Sequence, residues 1–201
     1  MGGTLHACLY FAIDRRLSTA FFEFFLLVFR LLRQKIVKFK LGQSSQQERF
    51  MALLNFHQIT PNIGTSGQPL MDDFVGFADS GVTTVVNLAM HDSENALDNE
   101  GSVVAALGMS YIHFPIPFEA PSAGQLRKFI ALMEALEGEK VHVHCAVNAR
   151  VSAFMFKYLT LTKGVEEAEA TSPLLNRWNQ QMDDTWQRFL QIDQEELSRM
   201  C

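Results

Sequence analysis

Cysteine is scarce in this chain of 201 residues, which contains only Cys8, Cys145 and Cys201. Three cysteines so widely spaced cannot build a disulfide framework or a cysteine-rich zinc module. His142 and His144 share one face of a predicted strand, but a zinc site needs two more ligands and no third His or Cys has a suitable spacing, so we expect no metal. We predict no cofactor either. So few cysteines are typical of a reducing compartment, which predicts a cytoplasmic protein.

Charge is also sparse, since charged residues make up 19% of the chain and apolar residues 48%. This balance excludes intrinsic disorder and a collagen-like fibre. The length predicts one domain, or one domain with an extension. Residues 51–201 contain nineteen Asp or Glu against nine Lys or Arg. Such an acidic domain excludes nucleic acid as the main partner.

The first fifty residues are cationic but lack a long apolar run. A membrane-spanning helix needs about 20 mostly apolar residues, whereas the uncharged run Phe24 to Phe29 has six. No signal-peptidase site follows it. We predict that residues 1–49 form an extension, in which an apolar and cationic helix over residues 17–40 contacts the inner face of a membrane peripherally and a polar linker follows. A docking helix, or translation that starts near Met51, are the alternatives.

Residues 50–201 predict an α/β domain, because short apolar runs alternate with segments of helical periodicity. The predicted strands lie at about 59–63, 82–88, 110–116 and 140–144. The predicted helices lie at about 70–80, before Gly108, and at 125–136, 150–162, 165–171 and 174–198. This alternation predicts a three-layer domain with a central, mainly parallel sheet of four to five strands, flanked by helices.

The candidate site follows the fourth predicted strand, where the chain reads His144-Cys145-Ala146-Val147-Asn148-Ala149-Arg150. Parallel sheets bind ligands at the carboxyl ends of their strands. Loop amides at a helix N-terminus create a positive potential that favours the nucleophilic thiolate. The guanidinium of Arg150 can hold two oxygens of a phosphate. We therefore predict an oxyanion site made by Cys145, the loop amides and Arg150, with Gln68 at its mouth. Asn148 either braces this loop or occupies a turn position.

The stretch HCAVNARVSAF, together with GTSGQP and VVNL, resembles the cysteine-dependent protein phosphatases, whose signature is His-Cys, five residues and Arg. It resembles more closely the small bacterial phosphatase-like family that also occurs fused to β-lactamase-type hydrolases, over about residues 55–165. The resemblance implies a cysteine-phosphatase-like fold and a phosphocysteine intermediate on Cys145. It also implies a phosphorylated small molecule or phosphoprotein as substrate, and a role for Ser152 in easing the departure of the thiolate.

Two features depart from that signature. Only four residues separate Cys145 from Arg150, which is the spacing that rhodanese-type sulfurtransferases use to hold a persulfide. The loop after the preceding strand carries no Asp to protonate the leaving oxygen, and Glu119 is the nearest substitute. Three functions therefore remain open: a phosphatase-like hydrolase, a sulfurtransferase or sulfur-relay protein, and an adaptor that binds an oxyanion without turning it over.

Overall fold

The computed structural model describes residues 51–199 of the protein. The predicted helix over residues 17–40 and the linker that follows it lie outside the described residues, and the domain boundary at residue 49 stays a prediction. None of the helices in residues 51–199 combines the length and the apolar character that a membrane span requires.

A five-stranded sheet forms the centre of the domain, with the strand order β1-β2-β5-β3-β4. The strands are β1 (His57–Thr60), β2 (Ile63–Ser66), β3 (Thr84–Asn87), β4 (Ser110–His113) and β5 (Val141–His144). Strand β1 pairs antiparallel with β2, and the other three pairings are parallel. The prediction of a mainly parallel sheet with four to five strands is thus confirmed.

The first predicted strand, at 59–63, is instead the turn of a hairpin. Strand β1 ends at Thr60 and β2 begins at Ile63. The hydroxyl of Thr60 accepts hydrogen bonds from the backbone N–H groups of Asn62 and Ile63. Because this side chain satisfies two backbone donors that would otherwise join a ladder, the chain reverses here and does not continue as a strand.

Eight helices are described in residues 51–199. They are α1 (Asp73–Asp79), α2 (Glu100–Ala106), α3 (Ala123–Ala135), α4 (Ala149–Leu161), α5 (Glu167–Ala170), α6 (Pro173–Asn179), α7 (Asp184–Gln191) and α8 (Gln194–Ser198). The prediction of a single helix at 174–198 was wrong, because three helices, α6, α7 and α8, occupy this stretch. The side chains of Asp183 and Asp193 accept hydrogen bonds from backbone N–H groups and so begin α7 and α8 as new helices.

The helices cover both faces of the sheet. Neighbouring residues of a strand point to opposite faces, and Val85 and Val86 of β3 belong to two different apolar clusters. Val85 packs in a cluster with Phe77 of α1, whereas Val86 lies in the larger cluster with Phe154 of α4. The domain therefore has the three layers that the sequence predicts.

This topology brings four loops together. Strands β2, β5, β3 and β4 run parallel and are neighbours in the sheet, so their carboxyl ends lie along one edge. The loops at residues 67–72, 88–99, 114–122 and 145–148 leave from that edge. The loop after β5 occupies the interior of the row, between those after β2 and β3.

Candidate functional site

Cys145 lies directly after β5, at the centre of the edge where the four loops meet. Cys145 is only 1% exposed, and its backbone N–H donates to the Ser66 carbonyl of β2 at 3.4 Å. Three residues separate this cysteine from Ala149, the first residue of α4. The Cys145 thiol therefore stands at the base of a short turn that enters a helix N-terminus.

Asn148 makes that short turn possible. Its φ of 70° is in the left-handed region, which asparagine tolerates better than most residues that carry a side chain. The residue is fully buried, and its Nδ2 donates to the Asn55 carbonyl at 2.7 Å and to the Thr65 hydroxyl at 3.2 Å. Asn148 therefore sets the loop conformation and also braces it.

The carbonyls of the loop are held by donors from neighbouring segments. The Ala146 carbonyl accepts from the Gln68 backbone N–H at 3.1 Å and from Asn95 Nδ2 at 2.8 Å. The Val147 carbonyl accepts from Asn55 Nδ2 at 3.0 Å. In a planar trans peptide the N–H points opposite to the carbonyl, so the N–H groups that follow these two carbonyls face away from those donors. Neither of these N–H groups has an acceptor among the described residues.

Arg150, in the first turn of α4, is held in place by two contacts. Its Nη1 donates to the Leu88 carbonyl at 3.1 Å, and its guanidinium carbon lies 5.8 Å from the centre of the Phe118 ring, within the range of a cation–π contact. The residue is 8% exposed. The Nε and Nη2 donors of Arg150 have no partner among the described residues and can therefore bind two oxygens of an anion.

The remaining predicted site residues divide between the loop and its surroundings. Gln68 borders the loop through its backbone N–H, but its side-chain Nε2 donates to Glu100 Oε2 at 3.0 Å. Ser152 accepts a hydrogen bond from the Ser172 hydroxyl at 3.0 Å. Glu119 is exposed in the loop after β4 and makes no hydrogen bond or ion pair with another described residue.

Sequence reasoning missed a buried carboxylate under the loop. Glu100 is 5% exposed, and its Oε2 accepts from the side-chain amides of Gln68 and Asn87 at 3.0 and 3.3 Å. Its Oε1 is 2.7 Å from His144 Nε2, but neither atom has a partner in hydrogen-bonding geometry, so this is a close contact in which the ring N–H does not point at the oxygen. A glutamate at the start of a helix is normally exposed, and no local signal in the sequence distinguishes this one.

The other histidine of β5 is buried against an aromatic ring. His142 is fully buried, and its Nε2 lies 2.8 Å from the Ser66 hydroxyl. Its ring stacks on Phe77 with the ring centres 4.0 Å apart. Burial lowers the pKa of His142 well below 6.5, and the nearby His144 lowers it further.

The loop after β4 is attached to the C-terminal helices. Trp186 of α7 donates from Nε1 to the Phe118 carbonyl at 2.9 Å, and the two rings are 5.3 Å apart. The N–H of Ile116 donates to the same Leu88 carbonyl that Arg150 contacts. The residues on either side of Pro117 are therefore fixed to the sheet edge and to the core.

Comparisons with known proteins were made for sequence families and for solved structures. The model of a family described as a DSP-PTPase phosphatase of polymorphic toxin systems matches residues 63–163. A DUF442 protein from Shewanella putrefaciens CN-32, described as a candidate phosphatase, is 30% identical, and the alignment covers 76% of this chain and 97% of that one with a TM-score of 0.65. No curated protein matches the chain significantly.

Two more distant structures share the fold. TpbA from P. aeruginosa is 16% identical, with a TM-score of 0.57 over 73% of this chain and 90% of that one. The core catalytic domain of the PP-IP phosphatase SIW14 from S. cerevisiae is 13% identical, with a TM-score of 0.58 over 74% and 91%. The likeness to SIW14 and TpbA shows a common architecture of sheet and helices.

Proposed function

Because the chain belongs to the DSP-PTPase phosphatase family of polymorphic toxin systems, we propose that it hydrolyses a phosphomonoester with Cys145 as the nucleophile. The observation that carries the proposal is the turn from Cys145 to Arg150. Its carbonyls are bound by outside donors, two of its N–H groups are unpaired among the described residues, and Arg150 keeps two free donors. Such an arrangement stabilises negative charge above the thiol.

The proposed reaction has two steps. The Cys145 thiolate attacks phosphorus, so that an S–P bond forms while the bond to the leaving oxygen breaks, and that oxygen takes a proton from Glu119. Water then attacks the phosphocysteine, loses a proton to Glu119, and releases inorganic phosphate and the thiolate. Loop amides and Arg150 hold the non-bridging oxygens throughout.

Ser152 is proposed to assist the second step. Ser172 donates to Ser152 and accepts from the Leu175 backbone N–H. Because Ser152 accepts in this pair, its own O–H proton remains available to the departing sulfur. A hydrogen bond to the thiolate makes it a better leaving group.

A second candidate reaction is favoured by one feature, the four residues between Cys145 and Arg150. In that reaction the thiolate takes the outer sulfur of thiosulfate, which forms a persulfide and releases sulfite. Cyanide then takes that sulfur as thiocyanate and regenerates the thiolate. An adaptor would instead bind the anion and perform neither reaction.

Two activity assays and one binding measurement separate these functions. Phosphotyrosine is a suitable first substrate, because the structurally similar TpbA has been solved in complex with pTyr. We expect release of inorganic phosphate from phosphotyrosine and from an aryl phosphate, and its loss in Cys145→Ser. Thiocyanate formation without phosphate release would replace the proposal with the sulfurtransferase, and phosphate binding with neither activity would support the adaptor.

A further inference from the structure

We propose that Asn55 and Asn95 are positioning residues that orient the loop peptides toward the bound oxyanion. The inference rests on the proposed function of the loop as an oxyanion site. Neither residue touches the anion in this scheme. Each acts on one carbonyl of the loop, and each carbonyl fixes the direction of the following N–H.

The two asparagines reach the loop from different segments. Asn55 lies before β1 and Asn95 in the irregular loop after β3. Asn95 Nδ2 donates to the Ala146 carbonyl at 2.8 Å, and Asn55 Nδ2 donates to the Val147 carbonyl at 3.0 Å. Two consecutive peptides are thus held by side chains that come from either side of β5 in the sheet.

The Asn55 side chain is itself held in the orientation that its contact with the Val147 carbonyl requires. Its Oδ1 accepts from Arg177 Nη2 at 3.3 Å, which leaves its Nδ2 directed at the loop. Its backbone carbonyl accepts from Asn148 Nδ2 at 2.7 Å. Asn55 and the loop therefore exchange two hydrogen bonds, and a rotation of the peptide that carries the Val147 carbonyl would break the one that Asn55 donates.

The direction of a peptide decides whether it attracts or repels an anion. With its carbonyl bound from outside, a peptide presents its N–H to the other side, because the two groups are antiparallel in a planar unit. A flipped peptide would present a carbonyl oxygen, whose partial charge repels phosphate. This loop has four residues between cysteine and arginine, one fewer than the phosphatase signature, and so offers fewer amides to an anion. Each misdirected peptide therefore removes a larger share of the binding free energy.

Asn95 is a suitable position for substitution because it is exposed. Its contact with Ala146 is the one hydrogen bond that its side chain makes with the described residues. Asn95→Leu keeps the approximate size and removes the donor. Asn55 has a φ of 50°, so Asn55→Gly is the variant that removes the side chain while tolerating the left-handed backbone.

Each variant has a matched control. Asn99 also has a left-handed φ, of 57°, and its side chain makes no capping hydrogen bond, so Asn99→Gly controls for Asn55→Gly. Asn62 is an exposed asparagine in the turn between β1 and β2, so Asn62→Leu controls for Asn95→Leu. The probe is inorganic phosphate, titrated calorimetrically into the full-length chain.

We expect each loop variant to weaken phosphate binding by about 3- to 10-fold, the change that the loss of one neutral hydrogen bond produces. The controls should stay within twofold of the wild type, and the melting temperature of Asn95→Leu should not change. In ¹⁵N-labelled protein, phosphate should shift the amide protons of Val147 and Asn148 downfield in the wild type and less in the variants. A merely structural role would not alter that response.

Equal affinity and equal amide shifts in Asn55→Gly, Asn95→Leu and the wild type would overturn the inference, as would losses no larger than those of the controls. Its failure differs from that of the proposed function. If the wild type binds phosphate without releasing it from aryl phosphates, the reaction fails and the positioning role is still measured. If the wild type binds no phosphate, both are wrong.

Discussion

Replacing Arg150 by lysine tests the oxyanion site while keeping its charge. Arg150 uses Nη1 on the Leu88 carbonyl and retains Nε and Nη2 for a ligand. A lysine has a single nitrogen, which cannot contact the carbonyl and two anion oxygens in the same planar geometry. The substitution therefore removes a specific part of the binding energy without removing the positive charge.

The expected magnitude follows from those contacts. Losing one charge-assisted hydrogen bond to the anion costs about 1.5–3 kcal/mol. A cost of about 1.5–3 kcal/mol corresponds to a phosphate dissociation constant that is roughly 10- to 150-fold larger. The contact with the Phe118 ring at 5.8 Å also depends on where the cation sits, so its loss acts in the same direction.

Isothermal titration with inorganic phosphate measures this change, and Arg188→Lys, at an exposed position of α7, is the control. We expect Arg150→Lys to weaken binding strongly and Arg188→Lys to leave it unchanged. Affinities that agree within twofold for Arg150→Lys and the wild type would refute the view that the guanidinium fork holds the anion.

Three further predictions address the loop support, the buried histidine and the N-terminal segment. Gly67→Ala should weaken phosphate binding in the same titration, because its new Cβ would lie 3.0 Å from both the Ala146 carbonyl oxygen and the Leu54 side chain and would push that carbonyl by a few tenths of an ångström. The pKa of His142 is lower in the folded than in the unfolded protein, so the unfolded state binds more protons once the pH falls below about 6.5. Urea unfolding should therefore show stability falling by up to about 1.4 kcal/mol per pH unit from pH 6.5 downward to the folded pKa, with a smaller slope in His142→Gln. Deleting residues 1–49 should leave phosphate binding intact and abolish sedimentation with anionic liposomes, whereas equal sedimentation of both chains would contradict the proposed membrane contact.

The parts of the site that the sequence predicts are the parts that are local in the chain. Cys145 and Arg150 are five positions apart, and the apolar strand, the turn and the helix start around them each leave a pattern within a few residues. Their placement at the carboxyl end of a central parallel strand follows from the alternation of strands and helices alone. Nothing distant in the sequence is needed to find them.

The contacts that support the site join residues that are far apart in the chain. Asn55 and Val147 are 92 positions apart, and Trp186 and Phe118 are 68 apart. An asparagine in a loop and a tryptophan in an amphipathic helix have ordinary local explanations, as a turn residue and a core residue. Only the fold shows that each also holds a segment of the site, so residue type and spacing could not have identified them.

The C-terminal helices show why boundaries were harder to predict than element type. The apolar spacing across 174–198 fits one long helix, and that periodicity is real within each piece. Two aspartates interrupt it by capping new helices, since Asp183 and Asp193 bind the backbone N–H groups of Trp186 and Glu196. Asp183 is exposed and begins the helix that carries Trp186.

Asn148 determines the conformation of the loop after β5 through both its backbone and its side chain. The sequence suggested two interpretations of this residue, a brace for the loop or an occupant of a turn position. The structure shows both, because the backbone adopts the turn conformation and the side chain braces the loop. The left-handed backbone turns the chain from strand to helix in the few residues available, and that same conformation accompanies an amide that binds Asn55 and Thr65. Since hydrogen bonds from Asn55, Asn95 and Gln68 hold the loop carbonyls, we expect its peptides to be oriented before an anion arrives. Preorganisation of this kind lets a short loop bind an oxyanion without first losing conformational entropy.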